Sequence, residues 1–225
     1  MKKILAMLLA LVMVLSLAAC ASTQPAAEPA ASSDAPAESG KTYTVGVCQL
    51  VQHEALDAAT QGFVDALKEA LGDAVTIDVQ NASGDSVNCG TIVNGFVAKG
   101  VDLIMANATP ALTAAVSATA DIPILGTSIT AYGVALDIDD FSGTVGGNVS
   151  GTSDLADLQK QAQMILDWFP ETQKVGLLFC SAEPNSRYQI EEVAKYLADK
   201  GVETEEFAFT DTNDVASVTQ SAADY

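Results

Sequence analysis

Between residues 42 and 129, short apolar runs alternate four times with stretches of helical periodicity, and this alternation constrains the chain more than any other feature. Residues 42–50 read as a strand, with Val45, Val47 and Leu50 among small residues and Gly46 inside the run. In residues 56–71, Ala59, Phe63, Leu67 and Leu71 fall four apart on one helical face, which Val64 and Ala66 widen. Gly72 stands just past that helix, the usual C-terminal stop, and residues 75–81 form a second strand. Asp85 or Ser86 caps the next helix, whose buried face is Cys89, Ile92, Val93, Phe96 and Val97, and Gly100 ends it. "VDLIMAN" (101–107) is apolar almost throughout, as a parallel strand covered on both faces should be. Residues 111–120 are helical and "IPILGTSI" (122–129) is the fourth strand. Such a series implies an α/β protein with a parallel sheet flanked by helices.

The pattern breaks over residues 131–149, which are rich in Gly and Asp, and "GGNVSG" (146–151) reads as a crossover. Asp154 is placed to cap a helix in which Leu155, Leu158, Ala162, Ile165 and Phe169 share a face, with Trp168 and Phe169 as core at its end. The alternation then restarts: "KVGLLFC" (174–180) is a buried strand, 187–200 a helix stopped by Gly201, 203–209 a strand, and a helix begins at Asp214. Strand, loop, helix, glycine and strand recur at nearly equal spacing from Val45 to Val75 and from Val175 to Thr204. Two similar α/β lobes follow, one over residues 41–149 and a partial one over 150–225. A two-stranded parallel sheet has little core and would leave a face without cover, so the second lobe reads as C-terminally incomplete. A natural short form that pairs with another chain is the alternative.

Ahead of the first strand, residues 1–19 have the layout of a secretory signal: Lys2 and Lys3, then an apolar run over 4–17 too short to span a membrane, then small residues. Leu17-Ala18-Ala19-Cys20 resembles the lipobox of bacterial lipoproteins, which implies that Cys20 carries diacylglycerol and becomes the mature N-terminus. Residues 20–40 then form a tether. Rich in Ala, Ser, Pro and Glu and without aromatic residues, this stretch cannot bury enough surface to offset its ordering entropy. As a flexible coil it reaches about 25 Å. The expected location is extracytoplasmic, with the lipid at Cys20 holding the cell membrane.

The formal net charge of −19 argues against nucleic acid as a partner and against binding anionic lipid through the protein surface. No metal or cofactor is expected: there is no CxxC, and one histidine cannot complete a zinc set with cysteines so spaced. Cys48 and Cys180 lie in apolar strand-like runs and read as buried free thiols; pairing of two among Cys48, Cys89 and Cys180 is the alternative. No catalytic residue is assigned, because GxGxxG after a strand, a P-loop, GxSxG and HExxH are all missing.

The segments "VGVCQLVQHEALDAATQGFVDAL", "NASGDS", "VDLIMANATPA", "IPILGTSIT", "GGNVSGTSD", "KVGLLFCSAEPNS" and "DVASVTQSAAD" occur in this order. Together they resemble the substrate-binding proteins of bacterial ABC importers, within these the group of tryptophan or tyrosine transporter binding proteins. The resemblance implies two Rossmann-like lobes of the type I periplasmic-binding-protein kind, a small-molecule ligand held in the cleft between them, and a membrane permease as partner. Cys180 and Pro184 depart from the residues usual in that group. A receptor that passes its ligand signal to a membrane kinase would use the same lobes, and an extracellular enzyme is a further alternative.

Open α/β sheets bind ligands beyond the carboxyl ends of their strands. That places Gln52, His53 and Glu54 after the first strand, Thr109 after the third, Ser128 and Thr130 at the end of the fourth, and Glu183, Asn185 and Ser186 after the first strand of the second lobe. For an amino acid, the hydroxyls of Thr109, Ser128 and Thr130 with helix N-terminal N–H groups suit the carboxylate, and Glu54 or Glu183 suits the ammonium. Each has a plainer alternative. Thr109 and Asn185 also suit helix caps, Glu54 suits a helix N-terminus through the dipole, and His53 suits a bond to loop backbone. Tyr132 and Tyr188 lie near strand-end loops where either would stack on an aromatic ligand.

Overall fold

The computed structural model describes residues 40–225. The signal, the lipidation at Cys20 and the tether expected from the sequence lie outside these residues, apart from Gly40. Strands β1 (Tyr43–Gln49), β2 (Val75–Asn81), β3 (Leu103–Asn107), β4 (Ile124–Ile129) and β5 (Val149–Ser153) form a parallel sheet in the order β2-β1-β3-β4-β5. Helix α1 (Glu54–Leu71) lies over one face, where Val45, Val47 and Met105 pack with Phe63 and Leu67. Helices α2 (Ser86–Lys99) and α3 (Thr109–Ala118) cover the other, where Cys48, Ile104 and Ala106 meet Cys89, Val93, Phe96 and Leu112. The period-2 alternation of each strand thus sends adjacent residues to two different apolar layers, as a sheet covered on both faces requires.

The helix ends follow local chemistry. Asp85 caps α2 by accepting the Val87 N–H at 2.7 Å. At the other end Gly100 is left-handed (φ 65°), and its N–H closes on the carbonyls of Phe96 and Val97.

Three features of the next stretch differ from the sequence reading. A short helix α4 (Tyr132–Ala135) interrupts the segment read as irregular. The stretch read as a crossover pairs instead with β4 as the fifth strand, so the chain leaves the first sheet only after Ser153. Its edge position and exposed residues gave no apolar signal in the sequence. Helix α5 (Leu158–Trp168) starts three residues later than expected, because Asp157 rather than Asp154 accepts the Lys160 N–H. Leu155 therefore precedes the helix and Phe169 follows it. Trp168 and Phe169 are 74% and 63% exposed, so neither is core. The buried face of α5 is Leu158 and Ala162, with Ile165 and Leu166 packed beside them.

The second sheet pairs β6 (Lys174–Cys180) with β7 (Glu203–Phe209) in parallel. Helix α6 (Pro184–Asp199) joins them and packs with α5 through Leu197 and Ala162, with Val202, just before β7, in the same cluster. Helix α7 (Val215–Asp224) lies on the opposite face, where Ala222 and the Phe207 ring come close to Gly176. The fold is thus α/β with two parallel sheets flanked by helices. Among the described residues no helix is long and apolar enough to cross a membrane.

Candidate functional site

A cleft of about 940 Å³ opens where the carboxyl ends of the strands of both sheets face each other. Its first wall is Leu50 and Val51 after β1, with Ser83, Gly84, Asp85 and Ser86 between β2 and α2. Its second wall comes from the end of β6 and the start of α6 (Phe179, Cys180, Glu183, Ser186) and from the end of β7 (Phe209, Thr210, Asp211). Parallel strands bring this about: every β-α turn of a lobe emerges at the same edge, so two such edges facing each other enclose a space.

The first wall is braced from behind. The Leu50 N–H donates to the Asn107 carbonyl at 3.1 Å, and the Gly84 N–H donates to the Leu50 carbonyl at 2.8 Å. Beneath β1, buried Gln49, Thr60 and Asn107 form a chain. Thr60 Oγ1 donates to Gln49 Oε1 at 2.6 Å, and Asn107 Nδ2 donates to Thr60 Oγ1 at 2.9 Å and to the Leu56 carbonyl at 2.8 Å. On the second wall, the Arg187 guanidinium lies over the Phe179 ring at 4.5 Å from its centroid and bonds Glu206 at 2.5 Å. The cation thereby holds the ring from outside the cleft.

Among the described residues, three carboxylates line the space, from Asp85, Glu183 and Asp211, and no Lys or Arg does. Asp85 and Asp211 each use one oxygen locally, on the N–H groups of Val87 and Asn213, and Glu183 Oε2 accepts the Ser186 hydroxyl at 2.9 Å. Burial, and after it the charges of Glu183 and Asp211, push the Cys180 thiol above its ordinary pKa, against the lowering effect of the Ala182 and Glu183 N–H groups. The Phe179, Phe209, Leu50 and Val51 side chains supply the apolar surface. Such a space suits a small molecule with an apolar body and a positive group.

Of the residues singled out in the sequence, Glu183 and Ser186 line the cleft together. Gln52 lines a separate polar groove between α1 and β2. His53 is exposed and caps α1, its Nδ1 accepting the Ala55 N–H at 3.2 Å; Glu54 is the exposed first residue of that helix. Thr109 is 2% exposed and opens α3, but its hydroxyl makes no cap bond and has no partner; Ala108, at φ 88°, holds the cap position. Ser128 adopts φ 56° where the β4–β5 register slips, and the Thr130 carbonyl accepts the Ser153 hydroxyl at 2.9 Å. The Asn185 side-chain oxygen is buried without a partner, and Glu183 rather than Asn185 occupies the cap position of α6. Tyr132 is buried, and its hydroxyl donates to the Gly126 carbonyl at 3.1 Å, so it belongs to the core.

The sequence reading missed Ser83, Gly84 and Asp211, and it took Asp85 only as a cap. The signal was available: the rule of strand carboxyl ends, applied to β2 and β7 as it was to β1, β3, β4 and β6, marks these turns.

This chain is similar to proteins of known character. A curated tyrosine-binding protein from Clostridioides difficile is 34% identical over 95% of this chain and 62% of its own length. A Streptococcus pneumoniae ABC domain solved in complex with L-Trp superposes with a TM-score of 0.74 at 36% identity, covering 80% of this chain and 62% of that one. A ligand-free, open substrate-binding protein with adhesive properties, from Clostridium difficile, gives a TM-score of 0.55 at 35% identity with the same coverage. The chain therefore spans 62% of the length of these relatives. The description "ABC transporter substrate binding protein" matches residues 44–225, and the chain belongs to that family.

Proposed function

We propose that this chain is the solute-capturing body of an ABC importer. It closes its two lobes on a small molecule bearing an ammonium group and presents the closed form to a membrane permease. An aromatic amino acid is the first candidate. The observation that carries the reading is the cleft itself, with apolar walls from both lobes, three carboxylates and no cation among its lining residues. Aromatic side chains there suit a ring, and Glu183 suits an ammonium through a charge-assisted bond. The relatives named for tyrosine and solved with tryptophan point the same way.

Thr109, Ser128 and Thr130, the hydroxyls read from the sequence as carboxylate partners, do not line the cleft; among its lining residues the ligand carboxylate falls to the hydroxyls of Ser83 and Ser86 beside the N-terminus of α2. The Asn185 oxygen, buried without a partner among the described residues and set between the lining residues Glu183 and Ser186, supports a role for that residue, since buried polar atoms normally have partners. Closure follows from differential affinity: a ligand touching both walls favours the shut arrangement over the open one. At near-equal identity and equal coverage, the better superposition on the tryptophan complex than on the open relative supports a closed arrangement here. Attachment outside the membrane through lipid at Cys20, with residues 21–40 as a tether, completes the reading.

The test is a thermal-shift screen of the purified full chain against Trp, Tyr, Phe and a set of sugars and dicarboxylates. A specific ligand at about 100 times its Kd adds about 2.7 kcal/mol, which raises the melting temperature by several degrees. A shift with sugars alone overturns the ammonium reading, and chemical turnover of any ligand overturns the receptor.

A further inference from the structure

Cys48, near the end of β1, and Cys89, in the first turns of α2, are both fully buried in the same apolar layer. Each thiol is the chief influence on the other's ionisation, which places the two side chains side by side in that layer. Helix α2 reaches the strand closely along this line. Gly46 shares a strand face with Cys48, Phe96 lies two helical turns from Cys89 on the same side, and a Cβ on Gly46 would fall 2.5 Å from the Phe96 ring. The contact between the thiols, more than burial, pushes Cys48 up and Cys89 down in pKa.

We propose that Cys48 and Cys89 form a disulfide in the exported protein, and that Cys180 stays a free thiol. The proposal rests on the extracytoplasmic placement given above. Both S–H bonds break and one S–S bond forms. Two protons leave, and two electrons pass to an oxidising disulfide, itself reduced to two thiols. Full burial places the reaction during folding, before α2 closes on β1. The bond would tie together the two segments of the first cleft wall: Cys48 lies two residues before Leu50, and Cys89 three after Ser86. Cys180 stands apart, on the opposite wall, with its thiol directed to the Thr210 carbonyl at 3.8 Å.

The experiment has two arms. In the first, the full chain is denatured under reducing conditions, refolded in a glutathione redox buffer, trapped with an alkylating agent and mapped by peptide mass. The expected product is one Cys48–Cys89 link with Cys180 alkylated. The link should be absent in C89S, and reducing it should lower the melting temperature by roughly 5–10 °C. In the second, the protein is trapped directly from its native cells and mapped likewise. Alkylation of both Cys48 and Cys89 in the first arm, or a link to Cys180 instead, overturns the proposal. A link in the first arm with reduced thiols in the second overturns disulfide formation in the cell and leaves the receptor reading, which the thermal-shift screen tests, untouched.

Discussion

The Phe96 ring lies flat against Gly46, so close that a methyl group on the glycine would sit 2.5–2.9 Å from three ring carbons. Phe96 is fully buried in the core cluster between α2, α3 and the sheet. We expect G46A to destabilise the fold by about 1–3 kcal/mol through overpacking. Combining it with F96L should recover part of that loss, because the two sites share one contact. Urea denaturation of the single and double variants checks this; strictly additive losses would count against the contact.

Tyr132 holds β4 rather than a ligand. Removing its hydroxyl in Y132F leaves the buried Gly126 carbonyl without that donor and should lower stability by about 1 kcal/mol. Ligand affinity, measured by calorimetry, should stay as in the unaltered protein. A large loss of affinity without loss of stability would return Tyr132 to the binding site.

Glu183 and Glu54 were equivalent choices for an ammonium partner in the sequence, and the structure separates them. Glu183 lines the cleft, and Glu54 is exposed at the start of α1. We expect E183Q to weaken binding of an amino-acid ligand about tenfold, equal to about 1.4 kcal/mol, and E54Q to leave it unchanged. Reversal of that order in a calorimetric titration would move the site to the α1 end.

Lys99 at the end of α2 donates to Asp78 on β2 at 2.6 Å, and this bond chiefly holds the Asp78 carboxyl below its ordinary pKa, with Gln80 assisting. A carboxylate with a depressed folded pKa contributes stability above its unfolded pKa of about 4 and loses that contribution as pH falls through the folded value. The pair is well exposed, so solvent screening limits the effect to about 0.5 kcal/mol at neutral pH. D78N should be less stable than the unaltered chain by that amount at pH 7, and the difference should fade as the pH falls through the depressed folded value of the Asp78 carboxyl. Chemical denaturation at neutral and at acid pH checks it, and high salt should shrink the neutral-pH difference.

Much of the fold was legible locally. The bounds of β2, β6 and β7 match those read from the sequence, and Asp85 and Gly100 mark the ends of α2 through cap chemistry that any short window shows. The site was legible in part: Glu183 and Ser186 follow a recognisable strand, while Ser83 to Asp85 looked like a plain helix entry. Trp168 and Phe169 illustrate the opposite failure. Their hydrophobicity predicted burial, but helix α5 ends at Trp168 and turns both side chains toward solvent.

The sequence by itself determined the order of strands and helices outside residues 131–153, because period, caps and glycine stops act between residues a few positions apart. Tertiary structure alone decided which residues from distant parts of the chain meet. It recruited Val149–Ser153 as the fifth strand, set Leu50 and Asp85 opposite Phe179 and Glu183, and brought Cys48 against Cys89. The physical reason is that strand order and the facing of two sheet edges depend on the mutual burial of whole layers, and no local periodicity encodes which layers will meet.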